Sequence, residues 1–133
     1  MIADIRKGLK TNLSTIRGLR VAESIPDNPN PPQAVVALSN VSYDRAFASG
    51  LVEYNFIVSL VVGRASEREA QRRLDAFIST AGTQSVKTAI ESDKTLDGMV
   101  YDLRVIEMSQ VGQLTIGDTV YLGADFAVTV YAN

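Results

Sequence analysis

Apolar side chains recur at Ile2, Ile5, Leu9, Leu13 and Ile16, steps of three and four that form one stripe along a helix, and Gly18 follows as a stop. The pattern predicts a first helix over residues 2 to 17. Further along, the period drops to two. Val52, Tyr54, Phe56, Val58, Leu60 and Val62 alternate with Glu53, Asn55 and Ser59, which predicts a long strand buried on one face over residues 51 to 62. Ile57 and Val61 interrupt the polar side, so the second face of that strand is expected to be partly covered, by its own domain or by another subunit. The phrase "SEREAQRRLDAFI" then sets Ser66 and Glu69 at capping-box spacing, with Ala70, Leu74, Phe77 and Ile78 as the inward stripe of a second helix.

Shorter signals fill in the rest. "TQSVKTAIES" predicts a third helix with Val86, Ala89 and Ile90 inward, reached through Gly82. "LRVAESI" and "AVVALSN" read as strands. "VYDLRVIEM" reads as another whose apolar phase shifts between Val105 and Ile106, the mark of a bulge or of burial on both faces. In "LTIGDTVY", Gly117 and Asp118 form a two-residue hairpin turn with glycine first, and the last strand turns Val120, Leu122, Ala124, Phe126, Val128 and Val130 to one side. The expected fold class is α+β, a mostly antiparallel sheet with two to three helices packed on one face, as a single domain over residues 1 to 133.

Every proline lies in "IPDNPNPPQAVV": Pro26, Pro29, Pro31 and Pro32. Proline fixes φ and donates no backbone hydrogen bond, so residues 26 to 32 can join neither a helix interior nor a central ladder. They form a stiff connector between two strands.

Composition narrows the chemistry. Cysteine is absent, which excludes a disulfide framework and a thiolate metal site. Histidine is absent too, which removes the commonest metal ligand, the usual general base and the usual activator of a serine nucleophile. Apolar residues make up 46% of the chain and charged ones 21%, the balance of a folded domain rather than a disordered one. A net charge of −2 argues against a protein whose main work is gripping nucleic acid. The longest nearly apolar run, "FIVSLVVG", is far too short to span a membrane, and the first residues lack the apolar core of a signal peptide, so a cytoplasmic, soluble chain is expected.

Few residue groups invite a catalytic reading. Asp93, Asp97 and Asp102, with Glu91 nearby, lack the alternation and central glycine of a calcium loop and read as a polar helix exit and turn. "GRASERE" resembles an anion cradle at a helix start, yet Ser66 is expected to serve as cap, and Glu67 and Glu69 would repel a phosphate there. No Gly-x-Ser-x-Gly elbow occurs. The first helix carries Arg6, Lys7, Lys10 and Arg17 against Asp4 on its polar side, either a solvated face or a contact surface for DNA or an acidic partner. Tyr43 and Arg45 in "VSYDRAFASG" have the character of interface anchors on a loop. The expectation is therefore a protein that is not an enzyme and takes no metal or cofactor.

Five stretches, "GLKTNLSTIRGLRV", "IPDNPNPPQAVV", "EYNFIVSLVVGRASEREAQRRLDAF", "SVKTAIESDKTLDG" and "YLGADFAVTVYA", together resemble the tail terminator proteins of long, non-contractile-tailed bacteriophages, especially those infecting actinobacteria. The most specific parts are the Pro-Asn connector and the "VVGRAS" strand end leading into a helix. The resemblance implies a sheet flanked by helices, and a structural protein that assembles in the host cytoplasm into a homohexameric ring within the virion. Such a ring caps the tail tube, stops its growth and joins it to the head-side connector protein, with genome DNA passing through the lumen unbound by sequence. The implied partners are further copies of the chain, the tail tube protein and the head-side connector. The matching connector positions Pro26, Asp27, Asn28, Pro29, Asn30 and Pro31, and Arg64 at the matching strand end, are the candidate contact residues. The alternatives are another neck or head-tail joining protein, and a small ligand-binding or enzymatic α+β domain.

Overall fold

The computed structural model describes residues 2–22, 29–43 and 51–132. Three helices and five strands follow in the order α1 (Ile2–Leu13), β1 (Arg20–Ala22), β2 (Gln33–Ser42), β3 (Val52–Arg64), α2 (Ala70–Ile78), α3 (Val86–Ile90), β4 (Asp102–Ile116) and β5 (Thr119–Ala132). The strands form one sheet in the order β1-β2-β3-β5-β4. All neighbours run antiparallel except β1 and β2, which are parallel. The expected α+β class holds. The proline connector is thus a crossover between adjacent parallel strands, a link no tight hairpin can make.

The alternation in β3 is what creates the core. Tyr54, Phe56, Val58, Leu60 and Val62 are all buried, and they meet Ile5, Leu9 and Leu13 of α1, Leu74 and Phe77 of α2, and Ile90 of α3 in one cluster. Phe56, fully buried at the middle of the sheet, contributes about 3 kcal/mol by area removed from water alone. The other face of the sheet carries a polar ladder: Thr129 Oγ1 donates to Asn55 Oδ1 at 2.7 Å, and Asn55 Nδ2 donates to Asn40 Oδ1 at 2.7 Å. The two apolar interruptions behave differently. Val61 is buried near Leu114 at one end of this face, while Ile57 stays half-buried between Ala37 and Ala127.

Several local expectations need correcting. The first helix ends at Leu13 rather than at residue 17, although Ile16 is still buried. Ser14 N still reaches Lys10 O at 3.0 Å, but Thr15 N and Ile16 N bond only three residues back, to Asn12 O and Leu13 O, and Thr15 Oγ1 also donates to Asn12 O at 2.8 Å, the carbonyl a continuing helix would offer to Ile16 N. The capping box does not form. α2 starts at Ala70, its preceding residue Glu69 has φ −85° and ψ −9°, and no side chain caps the end. Ser66 instead lies in a turn closed by Glu67 N donating to Arg64 O, with a second turn closed by Ala70 N donating to Glu67 O, because Ala65 N is still bonded to Val120 O and holds the chain to the start of β5. Val120 is 39% exposed rather than inward; it is the second residue past the Gly117–Asp118 turn, at the tip of the β4–β5 hairpin.

Other details match. The ladder between β4 and β5 shifts register between Val105 and Glu107, where the apolar phase breaks, and again between Ser109 and Gly112. Gly117 has φ +61° and leads the two-residue turn into Thr119. Ser85 caps α3 by accepting from Thr88 N at 3.2 Å. Among the described residues, no helix is long and apolar enough to cross a membrane.

Candidate assembly cleft

Where β2 begins, β3 ends and β5 begins, three segments distant in sequence converge. β3 carries Gly63 and Arg64 past a bulge that follows Val61, and the register sets Arg64 beside Tyr121 of β5. The connector enters from the β2 side. Its end is tied down twice: Arg20 N donates to Pro32 O at 3.1 Å, and the nine-tenths buried Gln33 accepts from Asn30 N at 3.2 Å through Oε1. Pro29, Asn30 and Pro31 thereby form one wall of an open cleft of about 330 Å³, with Arg64 and Tyr121 on the sheet side and Glu67 and Arg73 on the far side.

The electrostatics of the cleft are mixed. Arg73 pairs with Glu67 at 3.2 Å, both half exposed, which leaves that pair worth little to stability. Arg64 is exposed and has no ion-pair partner among the described residues. A free guanidinium beside a proline wall is suited to gripping a protein surface, since Arg is enriched among interface anchors, while Tyr121, only 6% exposed, backs the cleft. Among the described residues, no group of three or more carboxylates is arranged to hold a metal ion. Asp93 is occupied as a turn former, accepting from Asp97 N at 2.9 Å and from Thr95 N at 3.3 Å.

Of the residues singled out in the sequence, Pro29, Asn30, Pro31 and Arg64 come together in this cleft. Tyr43 does not. It is 72% exposed just past the other end of β2, about 30 Å from Gln33 at the usual strand rise. Pro26, Asp27, Asn28 and Arg45 lie outside the described residues. Sequence reasoning missed Tyr121, Gln33 and the Glu67–Arg73 pair. Tyr121 had no available signal, because only the register of β3 on β5 brings it beside Arg64. Because Ser66 is no cap, the anion cradle is disfavoured by the carboxylates of Glu67 and Glu69 alone.

In comparison with known proteins, no family model and no curated sequence matches this chain.

Proposed function

We propose that this protein is the tail terminator of a long, non-contractile-tailed bacteriophage. In this reading it is a structural virion protein, assembled in the host cytoplasm, whose copies close into a ring on the end of the tail tube. The ring ends tube growth and offers the head-side connector a docking surface, and the genome passes through its lumen. The observation that carries the reading is the convergence of the two most specific parts of the resemblance. The Pro-Asn connector and the strand end at Arg64, more than thirty residues apart in sequence, wall the same cleft. A pre-ordered proline wall lowers the cost of ordering on assembly, and an unpaired arginine beside it supplies an anchor.

Disabling the gene in the phage that encodes it tests the proposal. The expected lysate contains full heads and tails of irregular length. Tails of normal length left unjoined to heads would move the protein to another place in the neck. Normal tails joined to heads would defeat the virion reading and favour a small binding domain.

A further inference from the structure

The edge of a sheet carries a row of backbone N–H and C=O groups with no strand to bond, so it is where one chain most easily captures another. Among the described residues β4 pairs with β5 alone, and at 15 residues it is the longest strand. Its ladder is interrupted twice. Register shifts between Val105 and Glu107 and between Ser109 and Gly112 leave continuous pairing only over residues 102 to 105, 107 to 109 and 112 to 116. Gln110, at φ +54°, lies in the second break. Bulges of this kind twist an edge strand and spoil it as a template for another.

The first of these runs carries a further device. Val105 spends its N–H not on β5 but on Glu91, donating to Oε2 at 3.0 Å. Glu91 stands directly after α3, which is seated in the core through Val86 and Ile90, and Asn12 fixes the helix exit by bonding Ile90 O and Asp93 O. Lys87 Nζ donates to the other carboxylate oxygen, Oε1. Both oxygens are thus engaged, and the Glu91 side chain is only 16% exposed. Exposed Arg104 adds a charged side chain to the same run. A strand arriving to pair with Val105 would have to pull the carboxylate off that N–H, then lay its own carbonyl oxygen beside the displaced negative charge. Both steps oppose pairing.

We propose that Glu91 guards the sheet edge: its carboxylate, steadied by Lys87, caps the Val105 N–H and closes the first half of β4 to strand addition by a second copy of this chain. The inference stands apart from the ring reading, and it leaves strand pairing through this part of β4 out of any assembly the chain makes. A guard and a simple tie between α3 and the sheet differ in what their loss does. Losing a tie loosens one molecule, whereas losing a guard lets two molecules meet.

The test compares Glu91→Ala and Glu91→Gln with the parent by analytical ultracentrifugation over a wide range of concentration, and by amide hydrogen exchange at Val105. In dilute solution the Val105 amide of the alanine variant should exchange about tenfold faster, the effect of losing a bond to a charged acceptor. At high concentration that variant should associate beyond the parent, and Val105 should regain protection as its freed N–H pairs with a second strand. Glu91→Gln keeps an acceptor oxygen and should stay at the parent's association state; association equal to that of the alanine variant would overturn the role of the Val105 bond. A folded alanine variant that never associates beyond the parent would overturn the guard and leave a tie. Association with Val105 still exchanging fast would overturn it too, because the new contact would lie elsewhere. If the alanine variant does not fold, Lys87→Met decides alone, since it releases the carboxylate and leaves the edge untouched: association with Val105 protected supports the guard, and the parent's state overturns it.

Discussion

Asn12 is a buried polar residue whose removal has a calculable cost. It is 6% exposed on α1, and its Nδ2 donates to Ile90 O at 2.9 Å and to Asp93 O at 3.1 Å, tying the first helix to the exit of the third. Asn12→Ala strips both donors and leaves two carbonyls behind. The Ile90 bond is buried and the Asp93 bond partly so. Losing the first costs about 2 kcal/mol in stranded acceptor, and losing the second about 1 kcal/mol because water can replace it. A total of about 3 kcal/mol lowers Tm by roughly 10 °C for a domain of this size. Asn12→Asp keeps the shape but turns a carboxylate toward two carbonyls. Burial and repulsion raise the folded-state pKa of that carboxyl above its unfolded value, so folding takes up a proton. The variant is therefore least stable near neutral pH and regains stability as pH falls toward the folded pKa. Urea unfolding of the parent and both variants at pH 7 and pH 5 checks this. The aspartate variant should fall below the alanine one at pH 7, and the gap should narrow at pH 5. An alanine variant within about 0.5 kcal/mol of the parent would refute the reasoning, since a surface substitution costs no more.

Three further outcomes are expected. Replacing Pro29, Pro31 and Pro32 together by serine should leave a folded protein with a modestly lowered Tm but weaken tail attachment; attachment that falls only in proportion to folding would show that the prolines serve the fold. Burial raises the pKa of the Glu91 carboxyl, but hydrogen bonds from Lys87 and the Val105 N–H, with the charges of Lys87 and Lys94, outweigh it and leave the pKa lowered. A lowered folded pKa stabilises above the unfolded value and the benefit is lost as pH falls through the folded one, so Glu91→Gln should lessen the acid sensitivity seen in thermal melts between neutral pH and pH 3. In Gly123→Ala the new Cβ would stand 2.2 Å from the backbone oxygen of Leu60, which cannot rotate away; a loss of about 3 kcal/mol in urea unfolding is expected, and near-parental stability would show that the strands have room to part.

The apolar periods alone determined most of the elements. The alternation of β3, the stripe of α1 and the glycine-first turn at Gly117 are each written in a few neighbouring residues, because a strand or a turn is specified by contacts within its own length. The phase break at Val105 even located a bulge in β4. Where local signals compete, sequence reading failed. Ser66 and Glu69 have the spacing of a capping box, but the bond from Ala65 to Val120 holds that chain to the sheet, and the helix waits until Ala70. Tertiary structure alone decided that β1 lies parallel to β2, that the connector is therefore a crossover, and that Pro29, Asn30 and Pro31 face Arg64 and Tyr121. Each of these depends on which strand pairs with which, and in what register. Strand pairing joins residues dozens of positions apart and is set by the burial of the whole core, which no short stretch of sequence encodes.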